Sequence, residues 1–284
     1  MKRLKLVIPK GSIFENVVRL FSDAGIQIKT DERIYRPFVN DPEIQIKILR
    51  PQNIPDLIEI GAHDAGFTGK DWVVESAAEV IEVLDLKLDP VRIVAAIPEE
   101  MDVKVLRRRK IIVASEYERL TKEFLRKEGF EYKFLRTYGA TEVFPPEDAD
   151  MIIDNTATGT TLKEHNLKIY KILMDSTTRF IASRNALNDP WKKNKIEELK
   201  MLFQAVLDAR ERVMLEMNVP KEKFDRIVKI LPCMRAPTVA PLYGEKGFAV
   251  KVAVRKNEVI KLIPQLKRLG ATDILEYEFR KVVV

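Results

Sequence analysis

The stretch that decides the fold runs from Asp150 to Leu162 and reads DMIIDNTATGTTL. Met151, Ile152 and Ile153 form a short β-type run that ends on Asp154, and a Thr/Gly cluster follows before the polar segment KEHNLK. This is the pattern of a strand, a tight loop and a helix start. Gly159 lets the backbone come close to a ligand, while Thr156, Thr158, Thr160 and Thr161 set hydroxyls beside N–H groups that the first turn of a helix leaves unpaired. Such a loop can hold a phosphate. A carboxylate at the strand end accepts two hydroxyl hydrogen bonds, so Asp154 suits a ribose diol and the expected ligand is a ribose 5-phosphate group. A Thr-rich loop that merely caps a helix has the same local pattern. Neither GxxxxGK[ST] nor a GxGxxG after a strand occurs in the chain.

The same unit repeats toward the N-terminus. Lys5 to Ile8 is a β-type run closed by Pro9, Lys10 and Gly11, and Ile13 to Ala24 carries apolar residues at helical spacing. Ile44 to Leu49 reads as a second strand, followed by Arg50, Pro51, Asn53 and Pro55 and a helix over Asp56 to Gly61. Ala65 to Thr68 is a short buried strand that opens through Gly69 and Asp71 into a polar loop. The order strand, loop, helix predicts parallel sheets with ligands at the carboxyl ends of the strands. A second unit starts at Val91 to Ile97, continues through KIIVASEY and a helix over Leu120 to Gly129, and places Ser115, Glu116 and Tyr117 in an equivalent loop. Two apolar runs broken at Asp175 to Thr177 then read as a crossing back to the first unit, and Asn188, Asp189 and Pro190 start a helix. From about Arg212 the order becomes βαββαβ: Val213 to Val219, a helix over Lys221 to Leu231, Thr238 to Leu242, Phe248 to Val254, a helix over Val259 to Leu269, and Ile274 to Val284. That is a small ferredoxin-like domain, a type of appended sheet that more often binds a regulator or subunit than performs chemistry.

Composition narrows the function. The chain has 284 residues, 46% of them hydrophobic, enough for two or three domains with sizeable cores. Lys+Arg 49 against Asp+Glu 43 leaves a net charge of +6, a mild excess that fits anionic small molecules. The densest basic run, Arg107 to Lys110, precedes a strand and carries no interleaved aromatics, so nucleic acid is not an expected partner. One cysteine, Cys233, rules out an intrachain disulfide, and His63 and His165 are too few for a His/Cys zinc cluster, so no protein metal site is expected. His63 reads as an ordinary loop or helix-end histidine. The N-terminal apolar run is shorter than a signal peptide's and no run approaches the ~20 residues that span a bilayer, so a soluble cytoplasmic protein is expected.

The segments VIPKGS, RPQNIPDLIEIGAHDAGFTGKDWVVE, VASEY with LTKEFL, DADMIIDNTATGTTLKEHNL, and APTVAPL with LGATDILEYEF stand in an order that resembles the long form of ATP phosphoribosyltransferase, the first enzyme of histidine biosynthesis. The resemblance runs over nearly the whole chain. It implies two α/β lobes like those of periplasmic binding proteins, with a cleft between them and a C-terminal ACT-like domain that binds histidine as feedback inhibitor. In those terms residues 1–90 are lobe I with 182–211 returning to it, 91–181 are lobe II, and 212–284 are the regulatory domain. The implied reaction joins N1 of ATP to C1 of 5-phosphoribosyl diphosphate and expels pyrophosphate, with Mg2+ bound by the diphosphate. In it Thr156, Thr158, Gly159, Thr160 and Thr161 hold the 5-phosphate and Asp154 the ribose hydroxyls; Lys10, beside Gly11, and Arg50 take the diphosphate or triphosphate charge. Asp71 contacts nucleotide or metal, Glu116 and Tyr117 help place the adenine, and Glu142 lies at the same cleft. Asn218, Met234, Thr238 and Asp273 are the candidates for the histidine site, and assembly as dimers and hexamers is expected. One departure is Ser12, where many members carry Arg. The rival readings are prephenate dehydratase, whose Thr-Arg-Phe motif is similar to STTRF at Ser176 to Phe180, and a non-enzymatic two-lobed solute-binding protein. The chain lacks the dehydratase's Gly-Pro-x-Gly opening and its ESRP segment.

Overall fold

The computed structural model describes residues 2–30, 34–244 and 246–284. The chain divides into two compact units, one of residues 1–22 with 26–198 and one of 199–284 with 23–25. Helix formation in the first follows the apolar spacing: Val17, Leu20, Phe21 and Ala24, at i, i+3, i+4 and i+7, are the buried positions of α1 (Phe14–Ala24). Each of the larger three contributes roughly 1.5–3 kcal/mol of burial.

The first unit is built on two five-stranded sheets. β1 (Leu4–Pro9) is followed by α1, by a small hairpin of β2 (Ile28–Lys29) and β3 (Phe38–Val39), then by β4 (Ile44–Leu49), α2 (Ile54–Glu59), β5 (Ala65–Gly69), α3 (Lys70–Ser76) and β6 (Ile81–Asp85). The chain then crosses to a second sheet through β7 (Val91–Pro98), α4 (Val103–Leu106), β8 (Ile111–Ser115), α5 (Glu118–Glu128), β9 (Tyr132–Arg136), β10 (Met151–Thr156), α6 (Thr160–Glu164) and β11 (Leu167–Ser176). It re-enters the first sheet at Thr178 with β12 (Thr178–Ala182), four residues before the expected return at 182, and continues into α7 (Arg184–Asn188) and α8 (Pro190–Arg210). The sheet orders are β4-β1-β5-β12-β6 and β11-β7-β10-β8-β9.

Neither sheet is wholly parallel, in contrast to the sequence expectation. β1 runs parallel to β4 and β5, and β8 to β9 and β10, but β12 is antiparallel to β5 and β6, and β7 to β10 and β11. The reason is the double crossing: β7 and β12 arrive from the other lobe without the helical crossover that would turn them parallel. The carboxyl ends of β1, β4 and β5 still lie together, and they face the site.

Helix α3 joins the two lobes. Trp72 and Val74 pack against the buried cluster of the second lobe that includes Tyr117, Leu120, Phe124 and Met151. The first turn of α5 has no local side-chain cap at Tyr117. Glu75 of α3 supplies it, accepting from Arg119 N at 2.9 Å and Leu120 N at 3.0 Å.

The second unit contains β13 (Arg212–Val219), α9 (Phe224–Val228), β14 (Thr238–Pro241), β15 (Phe248–Arg255), α10 (Lys256–Leu269) and β16 (Thr272–Glu278). Its antiparallel order β14-β15-β13-β16 is the ferredoxin-like one expected. The alternating burial of β13 puts Val213, Leu215, Met217 and Val219 in the core. The strand expected over Ile274 to Val284 ends at Glu278, and the expected helix over Lys221 to Leu231 is a 3-10 turn at Lys221–Lys223 followed by the short α9. Among the described residues no helix is long and apolar enough to cross a membrane.

Candidate active site

A cavity of 520 Å³ opens between the lobes of the first unit. From the first lobe it is lined by Lys10 and Gly11 after β1, Arg50 and Gln52 after β4, and Gly69, Asp71 and Trp72 where β5 passes into α3. From the second it is lined by Glu116 and Tyr117 after β8, Gly139 to Thr141, and Asp154 and Asn155 at the end of β10. Strand–loop–helix chemistry has thus put each of these groups at a carboxyl strand end. Ser12 lines the same space. Arg50, Gln52, Trp72 and Glu116 also line an adjoining cavity of 340 Å³.

A chain of buried hydrogen bonds ties the two sides. Ser176 Oγ donates to Asp71 Oδ1 and accepts from the Asp71 backbone N–H at 3.1 Å. Tyr117 Oη donates to Asp71 Oδ2 at 2.8 Å and accepts from Asn155 Nδ2 at 3.2 Å. The Tyr117 ring lies flat on Trp72, centroids 4.4 Å apart. Asp71 is 4% exposed and Tyr117 1% exposed. Both nevertheless line the cavity, and their hydrogen bonds with each other, Ser176 and Asn155 fix their positions in it. A Cβ at Gly69 would sit 2.1 Å from Asp71 Oδ1, so only glycine leaves room for that carboxylate. Burial raises the Asp71 pKa against the pull of Ser176 and Tyr117, and burial followed by the Asp71 charge pushes the Tyr117 phenol well up, which keeps it a donor.

Asp154 is the polar centre of the second lobe. Its Oδ1 accepts from Asn155 N at 2.7 Å. Its pKa is pushed up to about 7, first by burial and then by Glu142 and Glu116, while the Asn155 N–H and the Thr141 hydroxyl hold it back. Glu142 therefore acts on the site through Asp154 without lining the cavity. Glu116 accepts from Gln52 Nε2 at 3.1 Å, a second link between lobes. Across from the acids stand Lys10 and Arg50; Lys10 Nζ lies 3.4 Å from Tyr35 Oη and 5.1 Å above the Tyr35 ring.

The Thr/Gly loop leaves β10 directly after this cluster but does not line the 520 Å³ cavity. Its hydroxyls engage one another: Thr156 Oγ1 accepts from Gly159 N at 2.9 Å and Thr158 Oγ1 lies 2.9 Å from Thr160 Oγ1. Gly159 takes φ +83° ahead of α6, and Thr158, Thr160 and Thr161 are exposed. In the second unit Asn218 donates to Asp273 at 2.9 Å, whereas Thr238 sits on β14, two strands from Asn218 on β13, and Met234 precedes β14. Of the four expected regulatory residues, Asn218 and Asp273 are joined by a hydrogen bond across β13 and β16. The sequence reading passed over Gln52, Trp72, Asn155 and Thr141 at the cleft. Trp72 and Asn155 each adjoin a singled-out acid, and Ser176 stood in the STTRF segment, so adjacency was the available signal.

Residues 50–205 match the ATP phosphoribosyltransferase family and residues 209–281 match its C-terminal domain. The ATP phosphoribosyltransferase of Pelotomaculum thermopropionicum is 41% identical over 289 residues, covering 99% of each chain. That of Thermodesulfovibrio yellowstonii is 40% identical over 290 residues, again covering 99% of each chain. In fold, the chain is similar to the ATP phosphoribosyl transferase (HisG:HisZ) complex of Thermotoga maritima, with a TM-score of 0.63 at 24% identity, over 71% of this chain and 98% of that one. The full-length match leaves no place for the dehydratase or solute-binding readings. The chain belongs to the ATP phosphoribosyltransferase family, the phosphoribosyltransferases of the first step of histidine biosynthesis.

Proposed function

We propose that the cleft joins N1 of ATP to C1 of 5-phosphoribosyl diphosphate by charge complementarity across the two lobes. The observation that carries this reading is Asp154, half-buried at the end of β10, with Glu142 and Glu116 acting on its charge and Lys10 and Arg50 lining the same cavity. As the C1–O bond to the diphosphate lengthens, positive charge gathers on the ribose and negative charge on the leaving pyrophosphate. Acids on the second lobe stabilise the first and cations on the first lobe the second, with no covalent nucleophile required. Asp154 accepts from the ribose hydroxyls, and an ionised Asp154 does so best. The loop from Thr156 to Thr161 exchanges its internal hydroxyl contacts for the 5-phosphate. Asp71, Tyr117 and Trp72 hold the lobes at the separation the substrates need.

A divalent metal, Mg2+, accompanies the diphosphate. When bound it neutralises charge on the leaving group. Residues 1–90 with 178–211 serve as lobe I, 91–177 as lobe II and 212–284 as the regulatory domain. Histidine inhibits through that domain, at Asn218 and Asp273, and the protein works as a cytoplasmic homo-oligomer.

The test is the absorbance of purified protein with ATP, phosphoribosyl diphosphate, Mg2+ and a pyrophosphatase, with and without histidine. The N1-substituted adenine chromophore is expected, suppressed by histidine. No product under any condition would remove the cleft from this chemistry; product insensitive to histidine would remove the regulatory assignment alone.

A further inference from the structure

The cleft takes up the carboxyl ends of β1, β4 and β5. The opposite ends of these strands carry a second concentration of charge: Lys5, Arg36, Gln45, Lys47 and His63 line a cavity of 240 Å³. The sheet register brings them together. Lys5 pairs with Gln45 and Val7 with Lys47, so Lys5, Gln45 and Lys47 project from one face of the sheet. Ile48 N donates to Tyr35 O at 2.9 Å, which lays the segment bearing Arg36 along the edge of β4. Asp64 N donates to Lys5 O at 2.9 Å, which sets the turn bearing His63 against β1.

Among the described residues no carboxylate side chain is paired with the cations of this recess. Asp64 is the carboxylate beside it, and both its oxygens are engaged: Oδ1 with Lys192 Nζ at 2.7 Å and Oδ2 with the Lys5 backbone N–H at 2.8 Å. Among the described residues the side chains of Lys5, Arg36 and Lys47 have no carboxylate partner, and the shielded His63 Nδ1 has no hydrogen-bond partner. Burial first, then Lys47, Lys5 and Arg36, lower the His63 pKa, with Asp64 pulling the other way. Three cations and an idle imidazole around one cavity form a field that an anion relieves. Arg36 offers a planar two-donor fork, the lysines point charges, and His63 a further donor once protonated.

We propose that this recess is a binding site for a doubly charged phosphoryl group, distinct from the cleft. From Lys5 to Lys10 the strand advances about 16 Å, at ~3.3 Å per residue, so one phosphoryl group cannot occupy both places. The cavity has room for the group and part of what it is attached to, which suits pyrophosphate or a phosphate monoester.

The chain's two histidines make the test local, because His63 reports on the recess and His165 closes α6 beside the Thr/Gly loop. The imidazole pKa values of the full-length protein are read by NMR in sodium sulfate, whose charge is constant over the titration, and in sodium chloride of equal ionic strength. Sulfate is expected to raise the His63 pKa on the order of one pH unit above its value in chloride. The Lys5→Ala/Lys47→Ala protein is expected to lose the sulfate response while its His63 pKa in chloride rises, since two repelling charges are gone. Equal His63 values in the two salts, which is screening or an adventitious ion only, would overturn the site; so would a sulfate response that survives the double substitution. Pyrophosphate and ribose 5-phosphate, compared at the same His63 signal, then tell a free phosphoryl group from an esterified one.

Discussion

Replacing Asp154 with asparagine should make the protein more stable and the enzyme much slower. The native carboxyl holds its proton up to about pH 7, against an ordinary value of 3.8. Each tenfold change in proton affinity is worth about 1.4 kcal/mol, so the ionised side chain costs the fold at most ~4 kcal/mol above neutral pH. The sign follows from proton counting: between about pH 4 and about pH 7 the folded chain keeps a proton that the unfolded chain releases, so stability falls as pH rises through that window. Above it the full cost is present. Solvent at the partly open cleft reduces the amount, and about 2 kcal/mol is a working value. For a unit of this size that is roughly 4–8 °C in Tm. Thermal melting of Asp154→Asn and wild type at pH 8 and pH 4 checks it, with the gain expected at pH 8 and gone near pH 4, beside a steady-state assay in which kcat falls. An asparagine variant no more stable at pH 8, or one equally active, would refute the reasoning.

Glu142→Gln removes one of the charges that raise Asp154, so the acidic limb of the kcat/KM profile should move to lower pH by roughly half a unit; an unmoved limb would separate Glu142 from the site. Tyr117→Phe takes a donor from buried Asp71 and should cost about 1–3 kcal/mol in urea unfolding, with KM rising more than kcat falls as the lobes lose registry; a fully stable variant would show that the bond at 2.8 Å carries little. Asp273→Ala breaks the bond to Asn218 and should weaken histidine inhibition about tenfold or more with basal turnover unchanged, as seen in inhibition curves. An unchanged inhibition constant would put the histidine site elsewhere.

Elements with a strong period were legible from the chain alone. α1, β1, β5 and the alternation of β13 each bury the residues their spacing selects, and Thr177 marks the return crossing as read from the broken apolar runs. β6 and β9 were missed because both are edge strands, half exposed, with no buried period to betray them. Parallel pairing was over-predicted because strand direction depends on which lobe the chain comes from, a global property. At the site, the strand-end acids and cations were readable from local pattern. That Tyr117 and Asp71 would face each other was not, since they stand 46 residues apart and meet only through the packing of α3 on the second lobe. In the second unit, Asn218 and Asp273 meet across β13 and β16 while Met234 and Thr238 precede or lie on β14, an arrangement set by strand pairing that no local pattern encodes.

The Glu75 cap on α5 bears on how the molecule is assembled. The second sheet is contiguous in sequence, from Val91 to Ser176, and looks like a segment able to fold as soon as it is complete. Yet two of the unpaired N–H groups at the start of α5 are satisfied by a side chain of α3, and Trp72 of the same helix fills part of the core. A fragment of residues 91–176 would therefore fray at α5 and expose Tyr117. The residue that finishes a helix in this lobe stands before the lobe begins in the sequence.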